Sequence, residues 1–150
     1  MNKKQIEIQS CSPNLIRPLR ARILRPGQPM AASHYPGEES EESLHLCAMI
    51  GDEVVGCASW MPEPASFRSA QKPYRLRGMA TDNNYQGQGI GKRLVEESLK
   101  ILKAKGVDFV WCNAREVAFL FYEKMNFKYH GTLFELPLIG PHKIMYLELE

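Results

Sequence analysis

Tyr74-Arg75-Leu76-Arg77-Gly78-Met79-Ala80-Thr81, then Asp82-Asn83-Asn84-Tyr85, then Gln86-Gly87-Gln88-Gly89-Ile90-Gly91-Lys92 is the stretch on which the fold turns. The first segment has strand character with a glycine inside it, which marks a bulge or a close backbone approach. Asp82 to Tyr85 breaks the strand. The alternating glycines lead into a helix that runs to about Lys105 and stops at Gly106. Leu94, Ser98, Ile101 and Leu102 share one side of it, and Lys92, Arg93, Glu96, Lys100 and Lys103 occupy much of the rest. A strand, a glycine turn and a helix in that order form an anion site. The first helical N–H groups lack intrahelical partners, and the helix dipole adds partial positive charge.

The spacing narrows which anion. A triphosphate-binding loop needs glycine where this chain has Gln86, and Ser or Thr where it has Arg93. A dinucleotide fingerprint needs G-x-G-x-x-G, whereas Gly87, Gly89 and Gly91 are spaced by two and follow an antiparallel hairpin. Both readings fail.

That hairpin is Leu44 to Ile50 and Val54 to Met61, joined by Gly51-Asp52-Glu53. Before it, Ile6 and Ile8 alternate into a first strand. Ser12-Pro13 opens a helix carrying Leu15, Ile16, Leu19, Ile23 and Leu24, with Pro18 blurring its start. Arg25 to Leu44 reads as a long loop, and its acidic run Glu38-Glu39-Ser40-Glu41-Glu42 reads as solvated surface. After the glycine helix come a short buried strand (107–112), a second helix (116–125) and two closing strands (129–136 and 143–149).

At 150 residues, 44% hydrophobic and 24% charged, residues 1–150 read as one domain. Folding such a chain removes roughly 70% of the extended chain's surface from water. A formal charge of +2 argues against nucleic acid or an anionic membrane as partner. Cys11, Cys47, Cys57 and Cys112 form no C-x-x-C pair, so no metal site is expected and the thiols read as reduced and mostly buried. The start, Met1 to Ile8, alternates polar and apolar residues without a long apolar run, and a cytoplasmic location is expected.

Gln86-Gly87-Gln88-Gly89-Ile90-Gly91 fits Q-x-x-G-x-G, and Phe121-Tyr122-Glu123-Lys124-Met125-Asn126-Phe127 is similar to an F-Y-E-K-x-G-F box. In this order and spacing the chain resembles the GNAT superfamily of acyl-CoA N-acyltransferases. Arg22 to Pro29 and Gly140-Pro141-His142-Lys143-Ile144-Met145 look like its ElaA-like branch. The resemblance implies an α+β, three-layer fold: a mixed, mostly antiparallel sheet of about six to seven strands flanked by helices. A central strand pair would splay around Met79 and Val110. It also implies acetyl-CoA as acyl donor, with its pyrophosphate on Gln86, Gly87, Gln88, Gly89, Ile90, Gly91 and Lys92 and its pantetheine arm on Met79 and Ala80. The family often has V-x-P where this chain has Ala80-Thr81-Asp82. It often has Asn where this chain has Arg115, and Asn113 is then expected to supply the amide contact. Asn126 replaces the box glycine, a change that asparagine's tolerance of a left-handed backbone permits.

Acyl transfer to an amine needs a neutral amine, a polarised carbonyl and a proton for the departing thiolate. The resemblance places Tyr122 by the thioester sulfur as general acid, and a phenol with an ordinary pKa near ~10 is protonated at neutral pH. His142, just before the last strand, is the residue named for the base. Glu63 and Glu135 are not distinguished from solvated carboxylates, and His34, His45 and His130 read as surface or loop residues. Arg77 is expected to meet an anionic part of the acceptor or a buried carboxylate. Cys112 is expected to be inert. The acceptor is then the amine of a small molecule or peptide, and the protein a monomer or homodimer. A non-catalytic acyl-CoA sensor or interaction module is the alternative.

Overall fold

The structure, a computed structural model, describes residues 5–150. Met1–Lys4, part of the amino-terminal alternation, lie outside the described residues. Seven strands form one sheet: β1 (Glu7–Ser10), β2 (Leu44–Ile50), β3 (Glu53–Pro62), β4 (Pro73–Thr81), β5 (Phe109–Arg115), β6 (Lys128–Leu136) and β7 (Gly140–Glu148). Their order is β1-β2-β3-β4-β5-β7-β6, antiparallel throughout except for β4 and β5. The expected α+β mixed sheet is what the chain builds.

The β4–β5 pair is connected by α2 (Ile90–Ala104), as a parallel crossover requires. It pairs only over Pro73–Phe109, Tyr74–Val110 and Arg75–Trp111. Beyond that the strands diverge, and the facing edges of Leu76–Thr81 and Cys112–Arg115 have no strand partner across the gap. Val110 therefore belongs to the paired part, and the opening starts at Cys112, two residues later on β5 than expected.

Two helices cover one face and one helix the other. The main core gathers Leu46, Trp60, Leu76, Leu94, Leu102 and Val110 beneath α2 and α3 (Phe119–Lys124). The opposite face packs Cys47, Cys57 and Ala80 under Ile16 and Leu19 of α1 (Pro13–Leu24). Pro18 lies inside α1 on its exposed side, where the carbonyl it leaves unbonded can meet water.

The segment between α1 and β2 is strapped down by buried charge. Glu38 is buried and accepts hydrogen bonds from Arg17 and Arg20, and Arg20 also donates to Ser59 Oγ and the Ser33 carbonyl. The acidic run was expected to be solvated throughout. Glu38 departs from that because two α1 guanidiniums reach it. His45, expected at the surface, is also buried, between Ser59 Oγ and the Glu38 carbonyl, each 2.7 Å away.

Gly78 combines both features that an internal strand glycine can mark. Cys57 pairs with Ala80 and Ser59 with Arg77, so β4 carries an extra residue there, and Gly78 has φ +65°. A Cβ at this position would lie 2.7 Å from both Arg20 Nε and the Tyr35 ring. The bulge lets the strap approach the sheet.

Candidate active site

The glycine loop is held from behind by Asp82. Its carboxylate accepts from the Asn84 amide and from Arg22, both at 2.9 Å, and these bonds hold its pKa below the usual value. Gln86 Nε2 braces the turn on the Thr81 carbonyl and Asn83 Oδ1. Gly87 and Gly89 take φ +80° and +78°, and Gly89 caps α2. Arg93 is the first residue to close onto the helix, at Gly89 O. The Ile90, Gly91 and Lys92 amides are thus without intrahelical partners, at the positive end of the dipole. Among the described residues, a Cβ on Gly87 or Gly89 would meet no atom within 4 Å. The space in front of these glycines is open to a ligand, and the residues fit a pyrophosphate.

Gly91 has a different part. A Cβ there would come 2.8 Å from Met79 Cε and 3.3 Å from the Phe121 ring. Its small size seats α2 against the strand and helix that line the gap.

Tyr122 enters the gap from the α3 side. Its carbonyl accepts from Phe127 N and that of Glu123 from Asn126 N, with Asn126 at φ +71°. This is the left-handed helix ending that the asparagine was expected to tolerate. The turn brings the Phe127 ring 5.2 Å from that of Tyr122 and fixes the phenol's position. The hydroxyl lies 3.6 Å from Met79 Sδ and within reach of the Cys112 thiol. Burial pushes the phenol pKa well above its usual value, with Cys112 adding to the rise, so the hydroxyl stays protonated. Burial also pushes the Cys112 thiol up to about 12, which keeps it un-ionised.

A cavity of about 380 Å³ occupies the gap. Met79, Cys112 and Tyr122 line it, together with Asn113, Arg115 and His142. In β5 the buried Val110, Cys112 and Ala114 belong to the core under α2 and α3, so the alternate residues Asn113 and Arg115 project to the α1 face. His142 pairs in register with Arg115 and shares that face. Its Nδ1 is 2.8 Å from Gly140 O. A carbonyl only accepts, so Nδ1 donates, and in the neutral ring the lone pair is on Nε2.

Residues 15–127 match the acetyltransferase (GNAT) family. The chain belongs to that family. It is 35% identical over 144 residues to an uncharacterized N-acetyltransferase of Bacillus subtilis (strain 168), YitI, an alignment covering 96% of this chain and 97% of that protein. Its fold matches the crystal structure of Escherichia coli ElaA with TM-score 0.78 at 18% identity, over 95% of this chain and 99% of that one. It also matches an aminoglycoside 6′-N-acetyltransferase complexed with coenzyme A, with TM-score 0.69 at 16% identity, over 95% and 96%. This GNAT protein is an acyltransferase.

The residues singled out in this GNAT sequence fall into three places. Met79, Asn113, Tyr122 and His142 line one cavity. Gln86 to Lys92 form the loop beyond it, with Gln88 exposed, Ile90 buried in the core and Lys92 exposed, 3.7 Å from Glu96. Ala80 is not brought to the cavity; it sits opposite Cys57 and buries its methyl against α1. Glu63 pairs with Arg75 at 3.1 Å. Arg77 has no carboxylate partner among the described residues and lies over the Tyr35 ring, 4.5 Å from its centroid. Arg25 and Tyr35 also line the cavity but were not singled out. Their signal was the length of the loop that carries Tyr35. Among the described residues no helix is long and apolar enough to cross a membrane.

Proposed function

We propose that this GNAT protein moves an acetyl group from acetyl-CoA to the primary amine of a small molecule or peptide by direct attack. The observation that carries the reading is the open gap between β4 and β5 with the protonated Tyr122 hydroxyl inside it. The coenzyme-bound structural neighbour supports an acyl-CoA donor. The free amides at 90–92 suit its pyrophosphate, and the unpaired β4 edge offers backbone groups to its pantetheine arm.

Acetyl-CoA supplies an activated thioester carbonyl. The amine nitrogen attacks the carbonyl carbon, the C–N bond forms, and a β4 amide near Gly78 and Met79 polarises the carbonyl oxygen. As the C–S bond breaks, the Tyr122 hydroxyl donates its proton to the sulfur. The proton lost by the amine passes to His142 Nε2, directly or through water, and then to solvent, from which the Tyr122 phenolate takes back a proton to complete the cycle. No covalent enzyme intermediate is needed, and a thiol as basic as that of Cys112 would form one poorly.

Thiol release from acetyl-CoA against a panel of amines, amino acids, polyamines and aminoglycosides tests this. The expected result is amine-dependent release with an N-acetylated product. Coenzyme binding without amine-dependent release from any of them would leave a sensor or docking module in its place.

A further inference from the structure

The α1-face mouth of the cavity gathers Arg25, Arg75, Arg77 and Arg115, and no carboxylate lines it. Arg75 is neutralised by Glu63. Arg25, Arg77 and Arg115 have no ion-pair partner among the described residues. Glu38, the buried carboxylate of the strap, is already bonded to Arg17 and Arg20. Arg25 and Arg115 each donate to the same acceptor, the Leu24 carbonyl, at 3.0 and 2.8 Å, which brings two like charges together. Arg77 lies over Tyr35, which also meets Arg20 at 4.5 Å on centroid distance.

Half-buried guanidiniums side by side without an ion-pair contact repel one another in a medium less screening than water. Burial and the charges of Arg75 and Arg25 lower the pKa of Arg77 against opposing contributions from Tyr35 and from Glu63, the carboxylate paired with Arg75, and burial and Arg25 lower that of Arg115 against Tyr35. Each guanidinium has five N–H donors, and the structure uses few of them here. The glycine loop, the second anion site, does not line this cavity, so the coenzyme's pyrophosphate has its own place elsewhere.

We propose that this mouth binds the acceptor through an anionic group, a carboxylate or phosphate on the same small molecule as the amine, with Arg77 and Arg115 as its ligands and Arg25 at the rim. The inference rests on the acyl-transfer reading above and specifies its substrate class. A small acceptor suits a cavity of about 380 Å³ that must also admit the thioester. The anion fixes the amine's distance from the thioester, so its removal is expected to act mainly on KM.

The test uses matched amines with saturating acetyl-CoA: O-phosphoethanolamine against ethanolamine, glucosamine 6-phosphate against glucosamine, and glycine against glycinamide. Expected is a preference of about tenfold or more in kcat/KM for an anionic member over its neutral partner. Phosphate and carboxylate pairs tell which anion is meant. Arg77→Gln and Arg115→Gln should abolish the preference while coenzyme affinity and thermal stability hold, and Lys100→Ala, on an exposed helix face, should leave it intact. Equal or better use of the neutral members, or a preference that survives both arginine variants, overturns the proposal. If no amine turns over, the transfer reading fails, and calorimetric titration of the same compounds into coenzyme-saturated protein decides the pocket separately. Saturable binding of anionic members alone, lost in the variants, upholds it, and no binding overturns it.

Discussion

At Tyr122, binding and chemistry can be separated because the hydrogen-bond partners of its hydroxyl among the described residues are both sulfurs, Met79 Sδ and the Cys112 thiol. Sulfur is a weak hydrogen-bond partner, so Tyr122→Phe is expected to cost less than about 1 kcal/mol of stability. The ring's packing on Phe121 and Phe127 is kept. General-acid assistance is worth about 100-fold or more, so turnover should fall by that factor while coenzyme affinity changes little. Wild-type turnover in the Phe protein, measured beside affinity and melting temperature, would remove Tyr122 from the mechanism. This residue was legible because a helix-end box fixes it locally: the chain reversal at Asn126 follows from residues adjacent in sequence. Arg77 was legible only in part. Nothing near it in sequence says whether a carboxylate meets it, since the ring it lies over is that of Tyr35 and the charges acting on it include Arg25 and Glu63, all on other elements.

At the scale of the element, the glycine loop separates two uses of one residue type. Gly89 faces open space and Gly91 faces Met79 and Phe121. Replacing both at once would confuse a phosphate effect with a packing one. Gly89→Ala is the cleaner probe: it adds a methyl that touches no protein atom, at a left-handed backbone position costing about 1–2 kcal/mol of strain. If the amides of 90–92 hold pyrophosphate, coenzyme affinity should fall about tenfold or more, the loss of one charge-assisted hydrogen bond. The acceptor preference should not move. Calorimetry showing wild-type coenzyme affinity would place the pyrophosphate elsewhere. The alternating glycines were easy to read because their function is local backbone geometry. The extension of β5 through Asn113 to Arg115 was harder, since these residues break the apolar run that ends at Cys112. Their strand character comes from pairing with β7, with Asn113 opposite Ile144 and Arg115 opposite His142. Long-range pairing overrides a local polar pattern.

Across the whole molecule, the strap between α1 and β2 forms the wall that carries Tyr35, and its anchors were invisible in the sequence for the same reason. Glu38 sits in an acidic run and His45 in an apolar strand; only the fold brings them together with Arg20 and Ser59. The hydrogen bonds set a direction. With the imidazole neutral, Arg20 donates to Ser59 Oγ, Ser59 donates to His45 Nδ1, and His45 Nε2–H donates to the Glu38 carbonyl. Burial lowers the His45 pKa below its usual 6.5, with Arg20 adding to the fall against an opposing bond to the Glu38 carbonyl. Burial alone would raise the Glu38 carboxyl, but hydrogen bonds from Arg20 and Arg17 outweigh it and hold the group below 4.5. Unfolded chains therefore bind more protons at both sites than folded ones, and stability falls as pH falls. The His45 contribution is complete above about pH 6.5 and declines below it, and that of Glu38 is complete above about 4.5 and declines below that. Glu38→Gln, which takes the anion from buried Arg20 and leaves Arg17 paired with the exposed Glu39, should cost about 3–5 kcal/mol at neutral pH. His45→Gln isolates the upper stage, because glutamine can offer one donor to the Glu38 carbonyl and one acceptor to Ser59 without titrating. Melting temperatures between about pH 7.5 and 5.5 should fall in the wild type and stay nearly level in His45→Gln. The other histidines are common to both proteins, so parallel slopes would show that protonating His45 does not loosen the strap.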